Sequence, residues 1–170
     1  MKYCLINNLY PPYARGGAEQ VVADKVQNLV DQGHEVVVIT SKPWSGWGSW
    51  IPKLKEEKGV KIYRFWPVNI FSYQNIANYS FVARFIWHVI DILNFVSARI
   101  IKQILQQENP DVVNTHNLMG LGFLIPKVIQ NMGLTHVHTL HDVQLVEPSG
   151  RLSWNHHQDN VAQKIYSWLM

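Results

Sequence analysis

A run of four β-branched residues at positions 36–39 constrains the fold of this 170-residue chain more than any other feature. A strand that is apolar on both faces must be covered on both, as strands of parallel sheets are. Similar short apolar runs occur at 3–7, 60–66, 111–115 and 135–140. Helical patterns separate most of them, and strands that alternate with helices form right-handed crossovers. The sequence therefore predicts an α/β fold, a doubly wound parallel sheet of the Rossmann-like type.

The spacing of apolar residues places the helices between these strands. The first is predicted to open at Gly16 and Gly17 and to stop at Gly33. Between residues 79 and 107 the polar side chains form only a narrow stripe, so we expect one long, mostly buried helix. A third helix is predicted over residues 118–132. The loops at the carboxyl ends of the strands are then the expected place for a ligand.

Composition excludes several classes of protein. With 47% apolar residues the chain is not intrinsically disordered, and one cysteine excludes a disulfide framework. A net charge of +3 is too small to indicate a nucleic-acid-binding protein. The first apolar run is too short for a signal peptide, and polar residues interrupt the stretch 81–105, so we expect no membrane-spanning helix. These observations favour a cytoplasmic protein.

A glycine-rich loop, residues 10–19, joins the first strand to the first helix. Gly16 and Gly17 let a ligand approach the backbone, and the helix start offers free N–H groups to an anion, with Arg15 as a further charge. The alternative is a tight turn that serves only helix packing. The loop is neither a Walker A sequence nor GxGxxG, and residues 40–42 lack the acid that would hold a ribose.

Three segments together resemble one known family. Pro-Pro-x-x-x-Gly-Gly-Ala-Glu at 11–19, followed by the helix and by residues 33–40, is similar to the N-terminal domain of family 4 glycosyltransferases, of GT-B architecture. The run PDVVNTHN at 110–117 resembles the family's PDVVHxH strand, and TLHD at 139–142 resembles its TxHD strand end. The match runs in the expected order from residue 1 to about 145.

The resemblance implies a function for the chain. Such a domain mainly holds the acceptor, here a saccharide or a lipid-linked saccharide, while a C-terminal domain holds most of the nucleotide-sugar donor. Transfer would retain the configuration of the sugar and need no essential metal and no cofactor besides the donor. Residues 1–170 would be the acceptor-side domain, truncated at its end and separated from the missing C-terminal domain. Alone, such a fragment is expected to be inactive.

The resemblance also implies site residues. His116 would lie beside the transferred sugar and is the predicted catalytic residue, while Asn114 stands where the family has its first histidine. A strand-end histidine can hydrogen-bond a hydroxyl or stabilise charge, although a histidine satisfied by backbone carbonyls is the alternative. By analogy, the glycine amides would face a phosphate. The predicted substrate-binding residues are Arg15, Gly16, Gly17, Asn117, Thr139, His141 and Asp142.

Two other groups of side chains have competing interpretations. His136 and His138 share one face of a predicted strand, a spacing that zinc can use, but packing is the commoner role and we expect no metal. Three tryptophans occupy the stretch 41–59, which is predicted as a loop. They suit stacking on sugar rings, a flap that closes on Trp66, or a docking surface for the missing domain or a membrane.

The lysines and arginine between positions 53 and 64 indicate a solvated face, or contact with an anionic acceptor or the inner face of a membrane. The predicted last helix, 160–170, is apolar at helical spacing and lacks a partner, so the chain alone is expected to be sticky or dimeric.

Two other functions stay open. One is an NAD(P)-binding Rossmann oxidoreductase domain, and the other is a non-catalytic interaction module with a degenerate cleft.

Overall fold

The computed structural model describes residues 1–14 and 16–141. The strands in this part are β1 (Lys2–Ile6), β2 (Glu35–Ser41), β3 (Lys53–Glu57), β4 (Val60–Phe65), β5 (Val112–Thr115) and β6 (Thr135–His138). The helices are α1 (Gly17–Asp31), α2 (Phe81–Ile92), α3 (Phe95–Glu108) and α4 (Ile125–Asn131), with a 3-10 turn at Tyr73–Asn78. All of them belong to one compact unit, Met1–Thr139. A second unit begins at Leu140, and of it only Leu140 and His141 are described.

The strands form one sheet in the order β3-β4-β2-β1-β5-β6. β1 lies at its centre and pairs in parallel with both β2 and β5, so that Ile6 faces Ile39 on one side and Thr115 on the other. β4 and β6 extend the sheet in parallel. The Rossmann-like α/β fold is therefore confirmed, as a mixed sheet with one antiparallel edge strand.

Helices cover both faces of the sheet, which explains why the central strands are apolar on both sides. Alternate side chains of a strand point to opposite faces. On the first face Leu5 packs with Val22 and Val26 of α1. On the second face, neighbouring β1 residues pack against α3 and α4 in a larger cluster that includes Cys4, Ile6, Ile101, Leu105, Ile125 and Ile129.

The prediction of a loop throughout residues 41–59 is wrong. β3 lies inside it and pairs with β4 in an antiparallel hairpin. The hairpin turns at Lys58 and Gly59, both of which have positive φ, as tight hairpins require. All five residues of β3 are exposed and four of them are charged. Charged side chains protect an edge strand from pairing with another sheet, and they also hide the strand from a search for apolar runs.

The single helix predicted over residues 79–107 is two helices. Asn94 begins α3, because its side chain accepts a hydrogen bond from the Ser97 amide at 2.9 Å. α3 is a core helix, as predicted, but α2 buries only Trp87 and Asp91, so the expectation of a mostly buried helix is wrong for α2.

The helix predicted over 118–132 is shorter, and α4 starts at Ile125. Gly120 and Gly122 have φ of 90° and 120°, so the chain before α4 cannot be helical there.

By length and composition alone, one described stretch, Phe81–Glu108, is apolar enough to cross a membrane, with a mean hydropathy of 1.4 over 18 residues. Composition alone therefore does not exclude a spanning helix here, although the interrupting polar residues had suggested that it does. In the structure this stretch is divided between α2 and α3.

Candidate functional site

The carboxyl ends of β1 and β5 are joined by hydrogen bonds that continue beyond the strands. The amide of His116 donates to the Ile6 carbonyl at 2.9 Å. Next to it, the amide of Asn117 donates to the Asn7 side-chain oxygen at 3.0 Å, and the Asn8 amide donates to the Asn117 carbonyl at 2.8 Å. His116 and Asn117 are thus fixed at the predicted edge of the sheet, and the His116 side chain is buried.

Asn8 connects this edge to two further segments. Its carbonyl accepts hydrogen bonds from the Ser41 amide at 3.2 Å and the Ser41 hydroxyl at 2.5 Å, at the end of β2. Its side-chain amide donates to the Met119 carbonyl at 2.9 Å. Sequence reasoning did not predict that Asn7 and Asn8 join these segments. Two asparagines directly after a buried strand were a usable signal, because buried side-chain amides need hydrogen-bond partners.

Thr139 is brought to the same edge through Asn114. The Thr139 amide donates to the Thr115 carbonyl at 2.8 Å, beyond the end of β6. The side-chain amide of Asn114 donates to the Thr139 hydroxyl at 3.1 Å, while its oxygen accepts from the Lys25 ammonium of α1 at 2.6 Å. Asn114, which stands where the family pattern has a histidine, therefore connects α1 to the segment after β6.

The glycine loop ends in a capped helix. Gly16 is the N-cap of α1, and its amide donates to the carboxylate of Glu19 at 2.6 Å. A phosphate at this amide would have to displace Glu19. Gly17 is exposed, and an added Cβ would meet no described atom within 4 Å. The backbone at Gly17 is therefore open to a ligand in this part of the chain.

Arg64 supports the glycine loop from β4. One of its terminal nitrogens donates to the Pro11 carbonyl, and its guanidinium lies 5.9 Å from the centre of the Tyr10 ring. Arg64 is buried, unlike the lysines around it. The basic cluster is therefore divided into three parts. Lysines on β3 and in its turn are solvated, Lys61 pairs with Glu108, and Arg64 holds the loop before α1.

His136 and His138 lie on one face of β6, as predicted, and both contact the hydroxyl of Thr115. The Thr115 hydroxyl is 2.8 Å from Nε2 of His136 and 2.8 Å from Nδ1 of His138. Burial lowers the pKa of His136, which favours a neutral ring that can accept a hydrogen bond. Residues 1–14 and 16–141 contain no group of three or more metal-ligating side chains.

Asp91 of α2 touches the loop that follows His116. Its Oδ2 accepts a hydrogen bond from the Gly120 amide at 2.9 Å, and its side chain is fully buried. Burial raises its pKa to about 7, although the bond from Gly120 acts in the opposite direction. The sequence placed Asp91 in a polar stripe and gave no sign of this contact.

The tryptophan-containing segment is partly packed and partly open. Trp44 meets Trp66 edge to face, with ring centres 4.9 Å apart, and the Trp66 amide donates to the Ser49 carbonyl at 2.8 Å. Trp47 is 98% exposed. The flap interpretation thus fits Trp44, while Trp47 presents a free ring face.

The other predicted site residues lie outside the unit that carries this edge or outside the described residues. His141 belongs to the second unit, and Arg15 and Asp142 lie outside the described residues. The predicted helix at 160–170 also lies outside them.

The chain is similar to one protein family, to one curated protein and to several solved structures. The sequence model of the family Glycosyltransferase Family 4 matches residues 15–170 of this chain. An uncharacterized 42.6 kDa protein in the cps region of Klebsiella pneumoniae is 30% identical over 155 residues, which are 91% of this chain and 40% of that protein.

Among solved structures, sucrose-phosphate synthase from Thermosynechococcus elongatus matches with a TM-score of 0.60 and 14% identity, over 99% of this chain and 38% of that one. Trehalose-6-phosphate synthase from E. coli, bound with UDP-2-fluoro glucose, matches with a TM-score of 0.51 and 11% identity, over 82% of this chain and 32% of that one. At such identities the likeness concerns the fold. The chain spans about two fifths of the length of the curated relative it matches.

Proposed function

Because the chain belongs to glycosyltransferase family 4, we propose that it forms the acceptor-side half of a GT-B enzyme. The enzyme would transfer a sugar, with retention of configuration, from a nucleotide-sugar donor to a saccharide or lipid-linked acceptor. The donor is a co-substrate, and no other cofactor is required. The chain alone, which spans about two fifths of its curated relative, would lack the half that binds most of the donor.

The observation that carries this proposal is that three separate motif segments end at one edge of the sheet. The glycine loop leaves β1, His116 and Asn117 follow β5, and Thr139 follows β6. β1, β5 and β6 are neighbours in the sheet. A ligand in a doubly wound fold lies at this edge.

The chemistry required of this edge is stabilisation of negative charge. A diphosphate leaving group gains charge as the glycosidic bond breaks, and fixed N–H groups at a helix start stabilise it. The amides of Gly16 and Gly17 would supply these donors, with Glu19 releasing the Gly16 amide when the phosphate arrives. His116, whose side chain is buried, would have to become accessible to hold a hydroxyl of the transferred sugar.

The test is a transfer assay on the parent polypeptide, in which this chain is followed by a donor-binding domain. We expect release of nucleoside diphosphate that depends on an added acceptor, and a product whose anomeric configuration by NMR equals that of the donor. His116→Ala should lower kcat by about a hundredfold, since a positioned polar group typically contributes that much. Asn131→Ala, at the end of α4 away from this edge, is the control.

Two results would contradict the proposal. One is the absence of acceptor-dependent release with any nucleotide sugar from a parent polypeptide whose circular dichroism shows an intact fold. The other is a thermal stabilisation by NADPH with none by nucleotide sugars, which would favour the oxidoreductase alternative.

A further inference from the structure

Large apolar side chains are exposed in one part of the described chain far more than elsewhere. Of the twenty such side chains, sixteen lie between residues 44 and 96. The densest group is one face of α2, which we call the α2 apolar face. Phe81 is 76% exposed at its start, and the full set is Phe81, Val82, Phe85, Ile86, Val89 and Leu93. Contiguous exposed apolar surface of this kind marks a binding surface.

The opposite face of α2 fixes the direction in which the α2 apolar face points. The ring nitrogen of Trp87 donates to the Phe71 carbonyl at 2.8 Å, and the Asn69 side chain donates to the Trp87 carbonyl at 3.1 Å. Asp91 accepts from the Gly120 amide. The helix cannot turn its apolar face inward without breaking these bonds and exposing Trp87, which is 1% exposed.

The apolar stretch Phe81–Glu108, which contains α2 and α3, is neither one core helix nor one membrane-spanning helix. Its apolar window has a mean hydropathy of 1.4, but only 28% of it is buried, whereas a core helix of such composition is mostly buried. Asn94 divides the segment and starts α3, which packs on the sheet. A helix that is apolar on one outward face, and too short to span, suits the surface of a bilayer.

Charge points to the type of lipid. Residues 42–102 contain nine of the fifteen lysines and arginines but only three of the twelve acidic residues, although the whole chain has a net charge of only +3. Asp91 is one of the three and is buried. Arg84 on α2, and Arg99 and Lys102 on the outer side of α3, are exposed. Basic side chains beside an apolar helix face are attracted to anionic headgroups.

We propose that α2 and the first turn of α3 lie on the surface of an anionic phospholipid bilayer. The α2 apolar face enters the boundary between headgroups and acyl chains, and Arg84, Arg99 and Lys102 contact the headgroups. Phe95 and Val96, exposed at the start of α3, extend the inserted surface. The proposal does not depend on sugar transfer, because vesicle binding is measured without donor or acceptor.

The test is flotation of the full 170-residue chain with vesicles. We expect binding to phosphatidylcholine vesicles that contain about 30% phosphatidylglycerol, weaker binding to pure phosphatidylcholine, and loss of the difference at high salt. Phe81→Ser with Phe85→Ser should weaken the binding at least about tenfold, because two inserted aromatic rings are removed. The thermal midpoint should not fall, since both rings are exposed.

Two further variants separate the apolar from the charged contribution. Val21→Ser, on the exposed side of α1, removes an apolar side chain of similar exposure outside the proposed surface and should bind like the wild type. Arg99→Gln with Lys102→Gln should weaken binding to anionic vesicles only.

Three results would overturn the proposal. The first is no binding of the wild type to anionic vesicles, and the second is equal binding by the Phe81/Phe85 variant. The third is a dimer in sedimentation equilibrium that this variant abolishes and that anionic vesicles do not dissociate. That result would show that a second copy of the chain covers the α2 apolar face.

Discussion

The buried carboxyl group of Asp91 connects α2 to the loop after His116 through a single hydrogen bond from Gly120. Its Oδ1 has no hydrogen-bond partner among the described residues. Because burial raises its pKa to about 7, the group is partly protonated near neutral pH. An unfolded aspartate has a pKa of about 3.9. Its contribution to stability is therefore fully present below about pH 4 and is lost as the pH rises through 7.

Replacing the Asp91 carboxyl group by an amide should remove this dependence. In the Asp91→Asn variant the side-chain oxygen can still accept from the Gly120 amide, but no charge has to be buried. We expect the variant to be more stable than the wild type at pH 8 by about 2 kcal/mol, and the difference to vanish near pH 4. Urea unfolding at several pH values measures it. A constant difference between pH 4 and 8 would show that Asp91 does not titrate in this range.

A substitution at Gly17 distinguishes a role of the glycine loop in ligand binding from a role in folding. Its added Cβ would meet no described atom, and alanine is favoured over glycine in a helix, so Gly17→Ala should raise stability by about 0.5 kcal/mol. In the parent polypeptide the methyl group should obstruct a phosphate and lower kcat/KM for transfer about tenfold.

A second glycine serves as the control for that experiment. Gly33, at the other end of α1, has a φ of 77°, so Gly33→Ala should cost about 1 kcal/mol of stability. It should leave kcat/KM unchanged at a temperature where the variant is folded. Unchanged transfer by the Gly17→Ala enzyme would argue that the loop is only a packing turn.

At the scale of elements, Glu108 holds the end of α3 against two strands. Its carboxylate accepts from the Lys2 ammonium of β1 at 2.6 Å and from the Tyr63 hydroxyl of β4 at 2.5 Å, with Lys61 at 3.3 Å. Burial alone would raise the pKa of Glu108, but the hydrogen bonds from Lys2, Tyr63 and Lys61 outweigh it and the pKa is lowered. All three partners lie away from the candidate site, so the cluster is structural.

Glu108→Gln should therefore destabilise the fold without changing ligand binding. We expect a loss of about 3 kcal/mol at pH 7, because a buried charged network loses one member. The contribution of a carboxylate with a lowered pKa is present above the unfolded value of about 4.3 and is lost as the pH falls through the folded value. The gap between variant and wild type should thus close in acid. Glu56→Gln, on the exposed edge strand β3, should change stability little.

The elements that could be predicted from the sequence are those with a clear pattern of apolar residues. β2 is fully apolar at its centre because both of its faces are covered, and this is visible in residues 36–39. β3 was missed because its pairing is held by the backbone and its side chains are charged. The break before α3 was missed because Asn94 fits a polar stripe as well as an N-cap, and only the Ser97 contact decides between them.

The candidate site was predictable in position but not in its connections. The strand ends were visible in the sequence, so His116, Asn117 and Thr139 were expected at the carboxyl ends of two strands, where the structure has them. Asn7 bonds to Asn117, 110 positions away, and Asp91 bonds to Gly120 across a helix and a loop. Such contacts depend on how the elements pack, which local spacing does not specify.

At the scale of the whole molecule, stability is unevenly distributed. β1 and β2 are covered on both faces, and α3 buries seven residues. α2 buries two and depends on hydrogen bonds to Phe71, Asn69 and Gly120. Segments with little buried apolar surface open at low free energy. The helix with the largest exposed apolar face, α2, therefore buries far fewer residues than its neighbour α3.

Hydrogen exchange followed by mass spectrometry measures this difference directly. In the chain without lipid, we expect peptides from β1 and β2 to exchange slowest and the α2 peptide, residues 81–92, to exchange fastest among the helices. Anionic vesicles should slow exchange in α2 and leave α1 unchanged, because only α2 would be desolvated. If α2 is already as protected as α3 without lipid, another surface covers its apolar face, and the added protection from vesicles should then be absent.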